Sequence, residues 1–442
     1  MLATSLGLCF LAFISSWWLG RRALSWGICA AMFWGYTYGI TRANILSPGS
    51  HFIFDFSLLG LYSACLFAKT PLELRNRQRG LSSWIGAIAG WTFFVALLPF
   101  QTPLITLVGL RGNFFFVPMI VLASRLRDQQ LRVVVLFIAA LNLFAAGFAL
   151  AEYRSGIEAF YPRSEVTLLI YNSHDVAGGH YRIPAIFSNA HSYAGTMVGT
   201  LPLLLGAMGL AGMGWKKRIF LILGISSAIM GVLFANTRTH FLVMMIMILS
   251  FLLVTKMKVQ VKAGIVVVVA IFGFVALGNE RFQRFRSIDS TDVVTDRIAG
   301  SVNRSFLEVL FEYPMGNGLG GGGTSIPHFL ISQLRRPVSV ENEYARMALE
   351  LGIPGLIIWV LFLLWILWVG FQVNSRDPWQ HSRRLVLIYL IANYLSSLIG
   401  TGMLTAIPGT MLAFFCAGWV VSKPHPDDLE APKKLASPAT YY

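Results

Sequence analysis

Charge is what this chain has least of. Asp, Glu, Lys and Arg make up 12% of its 442 residues, about half the share usual in a soluble domain. Mean hydropathy is +0.65. So few charged side chains cannot solvate a globular surface, which excludes a soluble fold. Cysteine is also scarce. Cys9, Cys29, Cys65 and Cys416 lie in apolar stretches without CxxC spacing, which leaves neither a disulfide framework nor a thiolate metal site. No HExxH, GxxxxGK[ST] or DxD motif occurs. The usual signs of a zinc hydrolase, a P-loop nucleotide site and a divalent-cation sugar-nucleotide site are therefore missing. No internal repeat marks a solenoid, and the halves lack the similarity that inverted-repeat transporters carry. Residues 2–19 have no basic stretch ahead of them, so a cleaved signal is not expected.

What the chain has in abundance is apolar length. Segments at about 2–19, 24–40, 52–68, 81–99, 104–124, 132–151, 192–212, 218–235, 240–255, 262–278, 353–372, 385–400 and 403–421 are each near the length that spans a bilayer core as helix. The expected fold is an all-α, polytopic integral membrane protein. It has 12–13 transmembrane helices, the number depending on whether 2–19 spans or lies in the interface, and two extracytoplasmic loops carrying short helices. The expected organisation is N-terminal helices 1–151, a loop 152–191, central helices 192–278, a large loop 279–352, C-terminal helices 353–421 and a tail 422–442.

The net charge of +15 does not point to nucleic acid, because of where the charge sits. Arg21, Arg22, Lys69, Arg75, Arg77, Arg79, Arg125, Arg127, Arg132, Lys216, Lys217, Arg218, all later lysines and Arg376, Arg383 and Arg384 follow odd-numbered segments. That is the positive-inside pattern, and it makes this side cytoplasmic. Both long loops fall on the opposite side, where Lys is absent and every basic residue is Arg.

The two loops carry the candidate chemistry. Loop 152–191 contains GGHYRIPAIFSNAHSYAG, with Arg182 near the membrane and His174, His180 and His191 around it; the histidine spacings match no compact metal site. Arg238, in NTRTH, lies at the mouth of a span, and Arg111, in GLRGN, sits inside an apolar run. Charge at such depth faces a cavity or a partner, or snorkels. In the large loop, Asp296–Phe311 has helical spacing that puts Arg297 and Arg304 on one face, and Pro314 ends it. Gly316, Gly318 and Gly320 to Gly323 follow. They read either as a flexible connector or as backbone that turns close to a ligand. Guanidinium suits bidentate capture of phosphate oxygens, although Arg–Asp pairs are an equally ordinary use.

The stretch VENEYARMALELGIPG reads as a short helix over 340–351 at the interface. Ser339 is its N-cap, Glu341 and Glu343 lie in the first turn, and Arg346 and Glu350 form an i,i+4 pair before Gly352 turns the chain. The helix dipole explains why acids are tolerated there. It does not explain Asn342 and Tyr344 beside Glu341.

The order of these features resembles the O-antigen ligase and Wzy-type polymerase superfamily over roughly residues 160–372. Arg182 comes first, then N-x-R at Arg238, R-F…R, P-x-G-x-G-x-G, and x-N-x-Y-x-x-x-x-x-E-x-G-x-x-G-L. The resemblance implies a GT-C-like fold and an inner-membrane glycosyltransferase that needs neither metal nor cofactor. Its substrate would be a polyprenyl-diphosphate-linked oligosaccharide, with membrane lipid and a chain-length regulator as partners. It would make Glu341 the base and Arg182, Arg238, Arg297, Arg304 and Arg111 the ligands of the donor diphosphate. Asn342, Tyr344, Gly318 and Gly320 would support them. Ligases of that superfamily carry His-Asn where this chain has Glu341-Asn342, which favours polymerisation over transfer to lipid A core or protein. A transporter or flippase is the alternative of another class; it calls for ionisable groups at midplane, and only Asp55 and Arg111 lie within spans. The expectation is that Glu341, Arg182 and Arg238 surround one outward-facing cavity.

Overall fold

The computed structural model describes residues 1–66, 79–172, 181–210, 213–255, 278, 305–323, 326–338, 340, 342–372 and 379–422. Among these, every regular element is a helix. In chain order the α-helices are α1 (Leu2–Arg22), α2 (Leu24–Asn44), α3 (Ile53–Leu66), α4 (Arg79–Leu97), α5 (Pro103–Phe114), α6 (Pro118–Ser124), α7 (Asp128–Ser155), α8 (Leu168–Tyr171), α9 (Ala190–Met208), α10 (Trp215–Ala235), α11 (Arg238–Val254), α12 (Ser305–Glu312), α13 (Glu343–Phe371), α14 (Gln380–Ser396) and α15 (Gly409–Val421). Six described stretches are long and apolar enough to cross a membrane: Leu2–Arg22, Gly80–Leu97, Pro103–Ser124, Gln129–Ser155, Trp215–Ala235 and Glu343–Phe371. Their outward faces are apolar where a soluble bundle would be polar. Phe10, Phe93, Leu97, Leu364 and Trp368 are all exposed. The chain is a multi-pass helical membrane protein.

Each apolar segment read from the sequence contains a helix, except 262–278, which lies outside the described residues together with the tail. Two segments differ in shape. The run 104–124 is divided at Phe115–Val117, where Pro118 lacks the N–H that would carry α5 onward. Within 403–421 only Gly409–Val421 is α-helical. Segment 2–19 does not lie apart from the bundle, because α1 runs parallel to α3 along its length. Ser5 Oγ meets Ser47 Oγ at 3.0 Å, and Ser16 Oγ meets Ser57 Oγ at 2.8 Å. Small side chains make that approach possible, as is usual between helices in lipid.

The centre of the bundle is α9, buried on nearly every side against α7, α10, α11, α14 and α15. A polar clamp ties it to two neighbours. Tyr36 OH on α2 donates to Asn142 Oδ1 on α7 at 2.8 Å, and Asn142 Nδ2 donates to Thr200 Oγ1 on α9 at 2.9 Å. Helix ends fall at two levels. One level gathers the C-terminal ends of α2, α7 and α10, the N-terminal ends of α9, α11 and α13, and the described residues of the two long loops; we call it the loop end. The other gathers the basic connections. There Arg383 at the start of α14 reaches the carbonyls of Trp419 in the last turn of α15 and of Ser422 just after it.

α15 lies against α6 so closely that a Cβ on Gly418 would stand 2.0 Å from the carbonyl oxygen of Ile120. Gly418→Ala is therefore expected to force the two helices apart at a cost of about 1–3 kcal/mol. Thermal unfolding in detergent, read by a lowered midpoint, checks this.

Candidate functional site

Residues 181–189 cross the loop end without regular structure, so their buried backbone groups need partners from elsewhere. They find them on three helices and a tyrosine. Ile183 N–H donates to Phe234 O of α10 at 3.3 Å, and Ile186 O accepts from Ile40 N–H of α2 at 3.0 Å. Ala185 N–H donates to Glu152 Oε2 of α7 at 3.0 Å. Tyr161 OH lies 2.6 Å from Ala185 O and 2.8 Å from Phe187 O. Ala185 has φ +51°, a left-handed conformation that a non-glycine residue keeps only when its surroundings impose it. Gly39 allows α2 to touch this strap, since a Cβ there would overlap the Phe187 backbone. Phe187 then stacks on Tyr193 and meets the tilted ring of Tyr36.

The strap carries Arg182, 6% exposed, whose Nη1 lies 3.1 Å from His191 Nε2 at the first turn of α9. Guanidinium can only donate, so Nε2 of His191 accepts and its proton resides on Nδ1. The His191 ring faces that of His240 at 6.2 Å, edge to face. His240 Nδ1 in turn meets Thr237 Oγ1 at 3.2 Å. Arg238 follows Thr237 as the first residue of α11. Arg182 and Arg238 thus come to one neighbourhood, linked through His191, His240 and Thr237.

The start of α13 forms a second cluster. The helix begins at Glu343, and its cap is Asn342, whose Oδ1 accepts from Ala345 N–H at 2.8 Å; Ser339 is not the cap. Nor is Glu343 a solvated first-turn acid. It is fully buried, bonded to Arg346 Nε at 2.9 Å and to the Gly402 amide at 2.7 Å. Arg346, also fully buried, holds Glu350 Oε2 through Nη1 at 2.8 Å, so the expected i,i+4 pair is present but sealed from water. Asn113 of α5 bridges both, accepting from Arg346 Nη1 and donating to Glu350 Oε2. The helix axis breaks at Gly352, with φ +72° and ψ 177°, where the sequence places the turn. Tyr344 OH donates to Tyr394 O at 3.0 Å, which ties α13 to α14.

The glycine segment is packed between these elements. Gly318 and Gly320 have φ +85° and +82°, and a Cβ on either would meet Phe100 or Ile105 within 3.0 Å. Gln101 clamps the segment by donating to Asn317 O and Arg335 O, both at 2.9 Å. A Cβ on Gly322 would stand 3.0 Å from Glu350 Oε1. The described glycines are therefore packed against α5, Phe100 and α13 rather than forming a loose connector. α12 ends at Glu312, ahead of Pro314.

Arg111 belongs to neither cluster. Its Nε bonds Asp55 Oδ1 of α3 at 2.8 Å, so the two charges found within spans are each other's partner. Glu341, Arg297 and Arg304 lie outside the described residues, as do His174 and His180. By sequence, Glu341 stands between Val340 and the capping Asn342, which are 5% and 1% exposed. No known family model matches the chain. No curated protein matches it either.

Sequence reasoning missed Glu152, Asn113, Gln101 and His240. Glu152 left one signal, a lone acid at the end of a long apolar run. The others look like ordinary polar residues until the fold assembles them.

Removing Arg346 would leave two carboxylates buried without their cation, so Arg346→Met is expected to cost about 3–5 kcal/mol. The yield and melting point of the purified variant check it. Glu152→Ala is expected to free the Ala185 amide, while Glu152→Gln keeps an acceptor there. Faster hydrogen exchange across 183–187 in the first variant, and near-native exchange in the second, would show it.

Proposed function

We propose that this protein is a glycosyltransferase that polymerises polyprenyl-diphosphate-linked oligosaccharides at the loop end of the bundle, facing the extracytoplasmic side of the bacterial inner membrane. One observation carries most of the weight. Arg182 and Arg238, far apart in sequence, come to one polar neighbourhood through His191, His240 and Thr237, and Arg182 is anchored there by a pinned strap.

The chemistry follows from these groups. Glu341 takes the proton from an acceptor sugar hydroxyl, and the oxygen attacks the anomeric carbon of the donor glycan. The bond from that carbon to the diphosphate oxygen breaks with inversion, and its electron pair leaves on the polyprenyl diphosphate. Arg182 and Arg238 stabilise the negative charge that grows on the leaving group, which is worth most where water is scarce. Arg297 and Arg304 are further candidates for this task. Asn342 and Tyr344 act one step removed, by fixing the start of α13 directly after Glu341. Gly318 and Gly320 act likewise, by letting the glycine segment pack beneath it. The paired Arg111 is not assigned to the donor.

The acceptor decides between polymerase and ligase. The test is full-length protein in liposomes with a polyprenyl-diphosphate oligosaccharide as the sole glycan. Longer lipid-linked glycan is the expected product, and glycan appearing only when another acceptor is added would contradict polymerisation. Glu341→Gln is expected to lower chain extension by about 10²–10⁴-fold with unchanged expression. Arg182→Lys is expected to lower it by about tenfold or more, because an ammonium cannot make the forked contact. Full activity in Glu341→Gln would remove the base.

A further inference from the structure

At the opposite end of the bundle, where α1, α3 and α6 finish and α2 begins, lies a cavity of about 270 Å³. Its charged lining is Arg21 and Arg125, and among the described residues no carboxylate lines it; Gly20, Leu24, Cys65 and Leu122 supply apolar wall. Arg125 Nε is buried and has no hydrogen-bond partner. Neither arginine makes an ion pair with a described residue. Three helix C-terminal ends account for some attraction of cations here, since their carbonyls carry partial negative charge. They do not account for a buried guanidinium N–H that bonds none of those carbonyls. Among the described helices, α2 begins at the cavity, with Ala23 at its cap position and no side-chain cap. Among the described residues, its Trp26 amide turns back to Ala23 O at 3.1 Å, which leaves the Leu24 and Ser25 amides for an acceptor from elsewhere. Two cations, the first two amides of α2 and an apolar wall at one end of the bundle call for one ligand chemistry.

We propose that this cavity binds a phosphate group, in the membrane the phosphate of an anionic phospholipid whose glycerol and upper chain lie against Leu24 and Leu122. The volume fits a headgroup and is below that of most sites for whole small molecules. Basic recesses between helices on this side of a membrane suit such lipids. The site is independent of the glycosyl transfer proposed above.

The test uses full-length protein in nanodiscs of phosphatidylcholine mixed with phosphatidylglycerol, extracted and weighed intact to count retained lipid. Wild type is expected to retain phosphatidylglycerol at least tenfold over phosphatidylcholine. The double variant Arg21→Gln/Arg125→Gln is expected to lose that preference. Arg22→Gln, which changes an exposed arginine lying over Trp18, is expected to keep it. Arg21 is itself exposed, so Arg21→Gln alone should fold and still weaken retention severalfold. Competition by inorganic phosphate would mark a site for phosphate whatever carries it. Retention unaffected by phosphate would assign the site to intact lipid. Equal retention of phosphatidylglycerol by wild type and both cavity variants would overturn the proposal, as would no preference in wild type.

Discussion

Arg346 holds a full positive charge where no water reaches, and the arrangement of the loop end follows from how that charge is satisfied. A buried guanidinium needs carboxylates at bonding distance and acceptors around them, or the desolvation cost unfolds the region. Glu343 and Glu350 supply the charge from the same helix. Asn113 brings in α5, and the Gly402 amide brings in the segment before α15. Gly322 lets the glycine segment close over Glu350. One side chain thereby fixes four parts of the chain relative to each other. Such networks add little net stability compared with an apolar core. They penalise every arrangement that leaves a charge alone, so their contribution is to specificity.

The strap that carries Arg182 uses the same logic for its backbone groups. Its backbone is irregular and buried, and Glu152, Tyr161, Ile40 and Phe234 take up its polar groups. The result is an arginine at the mouth of the bundle whose position depends on α2, α7 and α10 together. The two ends of the protein therefore differ in kind. The loop end has charges that are paired, bridged or aimed at histidines, whereas the basic end keeps arginines facing a recess. On the proposed reading, the first end does chemistry and the second meets the membrane.

Much of this was legible in the sequence where the cause is local. The spans follow from apolar length, the break at Gly352 from the Gly-Ile-Pro-Gly run, and Arg346–Glu350 from helical spacing. Where the cause is a partner far along the chain, the sequence misled or was silent. Glu343 reads as a solvated first-turn acid because nothing local announces the Gly402 amide. Asp55 and Arg111 both stand out as costly charges within spans, yet their pairing depends on α3 and α5 meeting. Ser339 reads as the cap of this helix from its side chain, whereas the helix starts later and Asn342 caps it. Glycines at 318 and 320 signal positive φ; that they lie against Phe100 and Ile105 does not follow from composition.

The central claim is that one recess at the loop end holds the donor diphosphate between Arg182 and Arg238 with Glu341 at its edge. The most direct measurement is an electron cryomicroscopy structure of the full-length protein with a non-transferable polyprenyl-diphosphate glycan bound. The account predicts diphosphate density in contact with both guanidinium groups and the Glu341 carboxylate within reach of the sugar. Diphosphate bound elsewhere, or a Glu341 side chain turned to lipid, would contradict it.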